Sequence, residues 1–224
     1  MVSKQFTWSF WDPAEGERST VLAIGPHPDD VELGCFGTLA AYAANGYQVH
    51  ILVMTDGSRG GDPEKQRAEC LESAALIGAQ VHFAGIPDCH IVDSFPTVDA
   101  IETLLREVKP LVVFGPSGKD THQDHRNTAL AMLSATRKVP DQVFVYQTPS
   151  TAIDFTPTCH FDVTEFFQIK EKAVRIHASQ SGRSYTASHA VKALASYRAS
   201  QVGSAERYVE AFEVTRLVRR WCPP

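Results

Sequence analysis

Two short segments of this sequence carry side chains that often bind catalytic metal ions. The first reads His-Pro-Asp-Asp at positions 27–30, and the second reads His-Gln-Asp-His at positions 122–125. In the first, His27 and Asp30 are three residues apart, and Pro28 stiffens the turn between them. Two imidazoles and one carboxylate leave at least one coordination position open for water, as catalytic zinc requires, and the same ligands suit non-haem iron. The spacing therefore predicts a catalytic metal site, and the ligand types alone do not decide between Zn²⁺ and Fe²⁺.

Asp29 and Asp30 are adjacent carboxylates, which repel each other unless a cation compensates for their charge. If Asp30 is a metal ligand, Asp29 lies beside the attacking water and can accept its proton as a general base. The simpler alternative is that one of the two aspartates caps the following helix, because Asp is a favoured N-cap residue. Glu32 fits either a supporting contact in the site or an ordinary first-turn glutamate.

The segments between these motifs alternate between short β-branched runs and amphipathic helical patterns. Continuous apolar strands that alternate with such helices are typical of an α/β fold, in which helices cover both faces of a mostly parallel sheet. The predicted strands are 21–25, 48–55, 80–85, 111–116, 142–147, 160–164 and 207–216. The predicted helices are 33–46, 62–79, 97–110, 124–139 and 165–179.

Three polar loops follow predicted parallel strands, and ligands of such sheets bind beyond the carboxyl ends of the strands. The loops are "GPHPDD" after the first strand, "TDGSRGG" after the second and "GPSGKDTHQDH" after the fourth. The first loop has His-Pro-Asp-Asp where a dinucleotide site would have G-x-G-x-x-G, so a nicotinamide or flavin site is disfavoured. The sequence therefore predicts that the two metal-binding segments lie side by side at one edge of the sheet.

The composition limits the class of protein. The chain has 224 residues, of which 43% are hydrophobic, and we expect a single domain spanning 1–224. A formal net charge of −5 argues against a general nucleic-acid binder, and the absence of a long apolar run argues against a membrane protein. The N-terminal segment lacks the apolar core of a signal peptide, and the five cysteines form no C-x-x-C pair. We therefore expect reduced thiols and a cytoplasmic location.

The sequence resembles the LmbE/PIG-L-like zinc-dependent N-acetylglucosaminyl deacetylases. The resemblance rests on "PHPDDVELGCFGTLA", "TDGSRGG", "RAECLESAALIGA", "HQDH", "KEKAVRIHASQ" and "YVEAF", which occur in the family's order. It runs from Val21 to Arg216 and leaves the first twenty residues outside. One departure is that many members place the glutamate directly after the aspartate pair, whereas this chain has Val31 and then Glu32.

The resemblance implies a Rossmann-like fold and a role for each matched residue. His27, Asp30 and His125 resemble the metal ligands of the family, and Asp29 resembles its general base. His122 matches the histidine that stabilises the oxyanion or protonates the leaving amine, and Asp124 matches the residue that orients the site histidine. The remaining two assignments are substrate contacts, at Arg59 and His177. The alternatives from the residues alone are a solvated loop cation at Arg59 and a helix-end histidine at His177.

The activity that the resemblance implies is removal of an N-acetyl group from an N-acetylglucosamine-containing small molecule. A metal-bound water would attack the acetyl carbonyl, with Asp29 as the base. A homo-oligomer is a further expectation, since members of the family often form one. The pattern leaves open the substrate and whether Asp29 or His122 protonates the leaving amine.

Three other functions use the same predicted metal ligands. The nearest is an amidase that acts on a thiol conjugate or another acyl amide. An iron(II) oxygenase would need a second substrate, and the parallel α/β pattern speaks against it. A metal-stabilised binding protein would have a closed site and no use for a base, so Asp29 and His122 favour an enzyme.

Overall fold

The structure is a computed structural model that describes residues 19–204 and 206–218. The N-terminal segment, with its expected lack of a signal peptide, lies outside the described residues, as does Cys222. The other four cysteines are free thiols. No helix in the described part of the chain is long and apolar enough to span a membrane.

A seven-stranded sheet, with strand order β3-β2-β1-β4-β5-β7-β6, forms the centre of the fold. Strands β1 to β5 pair in parallel, whereas β7 is antiparallel to both of its neighbours. The strands are β1 Thr20–Gly25, β2 Gln48–Thr55, β3 Gln80–Ile86, β4 Val112–Pro116, β5 Gln142–Tyr146, β6 Cys159–Asp162 and β7 Val209–Leu217. This arrangement confirms the predicted α/β, Rossmann-like fold with a mostly parallel sheet.

Seven α-helices accompany the sheet in the described residues, and they cover both of its faces. They are α1 Asp30–Gly34, α2 Phe36–Ala44, α3 Pro63–Ala75, α4 Phe95–Val108, α5 Gln123–Ala135, α6 Phe167–Ile176 and α7 Ser188–Gln201. Alternate residues of β1 face opposite sides, with Val21 in the core under α2 and α3, and Leu22 in the core under α4 and α5. A strand buried on both faces must be apolar at every position, which explains why β1 reads as a continuous hydrophobic run.

The helix predicted over 33–46 is in fact two helices, which break at Cys35. The carboxylate of Glu210, on β7, accepts hydrogen bonds from the backbone N–H groups of Gly37 (3.0 Å) and Thr38 (2.7 Å), at the start of α2. Lys170 on α6 forms a buried ion pair with the same carboxylate and donates to the Leu33 carbonyl oxygen at 2.8 Å. Because Glu210 and Lys170 are distant from Cys35 in the sequence, no local pattern indicates that the helix breaks at Cys35.

Helix α7 is missing from the sequence prediction. It buries only small residues and one arginine besides Val191, so the apolar periodicity that indicates a helix is weak. Its stability comes from packing of Val191 and Ala195 against Leu33 and Phe167. These tertiary contacts stabilise a helix that the local sequence pattern does not indicate.

The strand order determines where a ligand site can form. Strand β1 lies between β2 and β4, so the connections that leave β1 and β4 diverge and open a crevice at their carboxyl ends. The loop that begins at Pro26 follows β1, and the loop that begins at Ser117 follows β4. Both predicted metal-binding segments therefore meet at this topological switch point.

Candidate metal centre and active site

Three side chains converge at the switch point with the geometry of metal ligands. The Asp30 Oδ2 atom lies 3.1 Å from His27 Nδ1 and 3.3 Å from His125 Nε2, and the two nitrogens are 3.3 Å apart. Ligands bound to tetrahedral zinc at about 2.0–2.2 Å are separated by about 3.3–3.6 Å. The three atoms thus fit one divalent cation with little movement. Asp30 also accepts the backbone N–H of His27 at 2.9 Å, which fixes the turn around Pro28.

The outward nitrogen of each histidine faces a carboxylate. His27 Nε2 is 3.2 Å from both Asp88 Oδ1 and Asp124 Oδ2, and His125 Nδ1 is 3.1 Å from Asp120 Oδ2. Metal-binding histidines usually donate this second N–H to a carboxylate, which orients the ring and makes the ligand more basic. Asp124 therefore contacts a site histidine, as the resemblance implied, and that histidine is His27.

Two other groups of ligand atoms near His27 also come within 4.8 Å of one another: His27 with His122 and His125, and His27 with Asp88 and Asp124. The second group uses His27 Nε2, which the two carboxylates already hold as a hydrogen-bond donor. A ligand role for His122 Nε2 would place the ring proton on Nδ1, which accepts the backbone N–H of Asp124. We therefore favour the group of His27, Asp30 and His125, which also leaves both outward N–H groups with an acceptor. His122 then stays available beside the metal position.

Asp29 adopts a conformation that an ordinary capping residue does not need. Its φ of 100° lies in the left-handed region, which is strained for a non-glycine residue, and its side chain makes no capping hydrogen bond to α1. The Oδ2 atom is buried and has no hydrogen-bond partner among the described residues. Burial, followed by the neighbouring charge of Asp30, raises the pKa of Asp29 to about 8. A buried carboxylate that has a raised pKa and an oxygen without a hydrogen-bond partner, beside a metal position, is suited to act as a general base.

His122 lies at the start of α5 with its ring against the metal-binding histidines. Its ring centroid is 4.7 Å from that of His27, and its Nδ1 accepts the backbone N–H of Asp124 at 3.2 Å. Because Nδ1 is an acceptor, the proton of the neutral ring must be on Nε2. Burial and the charges of His27 and His125 lower the pKa of His122, which favours that neutral form. The ring can therefore offer an N–H to an oxygen of a bound ligand.

Asp120 is a site residue that the sequence analysis missed. Its Oδ2 accepts hydrogen bonds from Thr148 Oγ1 at 2.8 Å and Thr151 Oγ1 at 3.1 Å, in addition to its contact with His125. Its Oδ1 accepts the backbone N–H of His122 at 2.8 Å. The residue lies two positions before the second motif, so a search for carboxylates near metal-binding histidines would have found it.

We expect Asp120→Ala to weaken metal binding by about 10–100-fold, because His125 loses the carboxylate that orients it. Competition between the protein and a chromogenic zinc chelator measures this affinity. Asp99→Ala is the matched control, since Asp99 is an exposed residue of α4 outside the site. Unchanged zinc affinity in Asp120→Ala would show that the ring of His125 does not depend on Asp120.

Asp88 is a second residue that the sequence analysis missed. It follows β3, and its Oδ2 accepts the backbone N–H of Arg59 at 2.8 Å while its Oδ1 faces His27. Asp88 thus connects the loop after β2 to the metal centre. No pattern in "IPDCH" marks this aspartate, because its partners come from two other loops.

Arg59 lines a cavity of 430 Å³ that opens above the metal-binding side chains. Its loop is shaped by Gly57, which has a φ of 67° and whose carbonyl oxygen accepts Gln66 Nε2 at 2.9 Å. Arg183 and Tyr185, from the segment after α6, form another wall and hydrogen bond to each other at 2.6 Å. The exposed guanidinium of Arg59 is placed where a ligand in the cavity can reach it.

His177 differs in position from the substrate contact that the sequence analysis assigned to it. Its side chain is 0% exposed and absent from the cavity wall, and its Nε2 lies 3.2 Å from Glu32 Oε1. Glu32 also accepts a short hydrogen bond from Ser73. Burial lowers the pKa of His177, but the neighbouring carboxylates, Glu32 foremost, together raise it more strongly, and the ring lies behind Asp29. This placement corrects the prediction of a direct substrate contact at His177 and gives Glu32 a supporting role.

Metal uptake by the metal-free protein is expected to release protons. Burial lowers the pKa of His125, but Asp30 and Asp120 raise it more strongly, to about 9, so the ring is protonated at neutral pH. A metal ion needs an unprotonated nitrogen on both His125 and His27, and although burial lowers the pKa of His27, its contacts with Asp124, Asp30 and Asp88 raise it further still. The affinity for the metal therefore rises with pH. Zinc titration calorimetry at pH 7 in two buffers with different ionisation enthalpies measures the released protons. Identical enthalpies in both buffers would contradict this prediction.

Comparison with known proteins shows the family of this chain. The profile of a family described as "PIG-L: GlcNAc-PI de-N-acetylase" matches residues 22–136. Uncharacterized deacetylase YaiS of Escherichia coli (strain K12) is 33% identical over 172 residues, which cover 73% of this chain and 92% of that relative. Diacetylchitobiose deacetylase of Thermococcus kodakarensis is 26% identical over 185 residues, or 71% of this chain and 69% of that relative.

A solved structure shares the whole described fold. The conserved protein TT1542 from Thermus thermophilus superposes with a TM-score of 0.79 at 30% identity, over 91% of this chain and 99% of that protein. The region that the family profile matches contains both metal-binding segments and the strands that carry them. The chain therefore belongs to the PIG-L/LmbE family of de-N-acetylases.

Proposed function

We propose that this protein is a zinc-dependent hydrolase that removes the N-acetyl group from an N-acetylglucosamine-containing small molecule. The observation that carries the proposal is the carboxylate of Asp29, whose buried Oδ2 has no hydrogen-bond partner in the described part of the chain, beside three converging atoms suited to bind a metal. A structural metal site has no use for such a group, whereas hydrolysis of an amide requires one. His27, Asp30 and His125 would hold the metal.

A bound divalent cation supplies a Lewis acid for the acetyl carbonyl and lowers the pKa of a coordinated water to about 7. Asp29 accepts the proton of the attacking water on its free Oδ2. The pKa of about 8 belongs to the metal-free protein, and a bound divalent cation would lower it and so favour the ionised carboxylate that a general base needs. His177 behind Asp29 also lowers this pKa, whereas Glu32 beside His177 acts in the opposite direction.

His122 has the second role in the proposal. With its Nδ1 held by the backbone of Asp124, its Nε2–H is free to hydrogen bond to the oxygen that becomes negative as the carbonyl is attacked. Asp124 orients His27 through Nε2, and Asp120 does the same for His125. Arg59, on the cavity wall, would hydrogen bond to the sugar hydroxyls.

The names of the relatives support an acetylated aminosugar as the substrate. Diacetylchitobiose deacetylase and the inositol-linked 2-acetamido-2-deoxyglucopyranoside deacetylases are relatives with such substrates in their names. The alternative within the same chemistry is an amidase that acts on a thiol conjugate or another acyl amide. A cytoplasmic location and a homo-oligomer stay predictions of the sequence.

The test is acetate release from a panel of N-acetylglucosamine compounds: the free sugar, an oligosaccharide, a thiol precursor and an antibiotic-like aglycone. Zinc-reconstituted, iron(II)-reconstituted and chelator-stripped protein are assayed side by side. Release that needs zinc is the expected result, and the preferred compound identifies the substrate class. Release that needs iron(II) instead would contradict the choice of metal. No release from any compound would contradict the aminosugar substrate and favour the other amides.

A further inference from the structure

Arg198, on α7, is a buried cation whose hydrogen-bond partners are neutral. Only 8% of the residue is exposed. Its Nε and one Nη donate to Gln147 Oε1, with 2.9 Å for the Nε bond, and its other Nη donates to Gln201 Oε1 at 2.8 Å. No carboxylate of the described residues pairs with it, and burial lowers its pKa. Three of its five N–H groups are used, which leaves two for another acceptor.

A buried charge without a counterion is costly, so such a residue usually has a partner that is absent from the bare protein. The rings of Tyr197 and Phe155, with centroids 5.5 and 5.7 Å from the guanidinium carbon, compensate only in part. The nearby Lys170–Glu210 ion pair is neutral as a unit, and Glu210 is already saturated by hydrogen bonds. A guanidinium in this setting is suited to bind a carboxylate or a phosphate.

Arg198 lines a cavity of 290 Å³ that adjoins the metal-site cavity. The two cavities share four wall residues: Leu33, Thr148, Pro149 and Tyr185. The remaining wall includes an apolar part of α7, with Val191 and Leu194, together with the polar side chains of Gln147, Lys170 and Glu210. Arg198 also lines the next cavity, of 570 Å³, which runs past Tyr197. The guanidinium therefore lies on the wall of the cavity that adjoins the metal-site cavity.

We propose that Arg198 and the apolar face of α7 form a second subsite, which binds an anionic group at the end of an apolar aglycone of the substrate. This inference rests on the proposed function for the position of the sugar, whose N-acetyl group would lie at Asp29. The aglycone leaves the sugar past Leu33 and Tyr185, and its carboxylate or phosphate meets Arg198. The anion supplies the charge that the guanidinium lacks in the bare protein.

Deacetylated glycosides allow binding to be measured without turnover. We would titrate zinc-reconstituted protein with glucosamine glycosides whose alkyl aglycones, of increasing length, end either in a carboxylate or in its methyl ester. At the best length, the carboxylate should bind at least about tenfold more tightly than the ester, as expected for charge-assisted hydrogen bonds. Arg198→Met should reduce this ratio to near one.

Arg175→Met is the matched control, because Arg175 is an exposed arginine on α6 whose ion pair lies outside these cavities. Equal affinities of the wild-type protein for carboxylate and ester at every length would overturn the inference, and this result does not depend on how the variant folds. A carboxylate-to-ester ratio that is unchanged in a folded Arg198→Met would overturn it as well.

Inorganic phosphate is titrated in parallel. Phosphate binding that requires Arg198, together with equal affinities for the two glycosides, would assign the site to a free anion and contradict a substrate subsite.

The acetylated glycosides separate this inference from the proposed function. Acetate release from both, with a higher kcat/KM for the carboxylate, is the result expected if both proposals hold. Release from both at the same rate, with equal binding of the products, would overturn the subsite and leave the deacetylase. No release from either would contradict the proposed activity, while the binding ratio of the products still decides whether Arg198 recognises an anion.

Discussion

His125→Ala is expected to remove the metal and, with it, the deacetylase activity. His125 supplies one of the three converging ligand atoms, and its ring also joins Asp120 to the centre. Loss of an outer carboxylate already costs about 10–100-fold in metal affinity, so loss of the ligand itself should cost considerably more. Metal content after dialysis, measured by atomic emission, should fall from near one equivalent per chain to background.

The matched control for this experiment is His189→Ala. His189 lies exposed on α7, away from the metal-binding side chains, and should keep both metal and activity. Thermal unfolding of the metal-free proteins checks that His125→Ala is folded. A folded His125→Ala protein that retains zinc with wild-type affinity would mean that His27 and Asp30 bind the metal with another partner, of which His122 is the nearest imidazole.

Asp29→Asn is expected to have the opposite pattern, with normal metal content and little turnover. The substitution keeps the shape of the side chain but removes its ability to take a proton. General-base catalysis contributes about 10²–10⁴-fold, so kcat should fall by a factor in that range. The affinity for zinc should change little, because the three ligand atoms are those of His27, Asp30 and His125.

Steady-state acetate release and zinc content, measured on the same preparation, check this prediction. Asp93→Asn is the control, since Asp93 is an exposed aspartate of the loop before α4. Full activity in Asp29→Asn would rule out Asp29 as the base. Loss of zinc in this variant would instead make Asp29 a ligand. The two substitutions therefore separate metal binding from proton transfer.

Local sequence is sufficient to identify the strands and to single out the three candidate ligands. A buried parallel strand must be apolar throughout, so β1, β2 and β4 are visible as continuous hydrophobic runs. The metal ligands occur in two short motifs directly after such strands, and the carboxyl ends of parallel strands lie at one edge of the sheet. Their proximity is thus a consequence of the strand pattern, and the structure brings together the residues that the motifs single out.

The partners of those ligands depend on tertiary structure, because each contact joins segments far apart in the chain. Asp88 meets His27 only because β3 and β1 end at the same edge of the sheet. His177 comes to lie behind Asp29, and not on the cavity wall, because α6 packs against the first helices. No local pattern encodes either pairing.

Arg198 is the clearest case of a property that the sequence leaves undetermined. In the sequence it is the one arginine of the weakly amphipathic segment Ser188–Gln201, where a solvated surface position is the default expectation. Packing of α7 on β7 and on the core around Leu33 buries it beside Gln147, without a carboxylate partner. Residue types and spacing determined the chemistry at the metal, because its ligands follow strands of one parallel sheet. Burial and charge pairing were decided by tertiary packing, because they depend on which distant segments exclude water from a side chain.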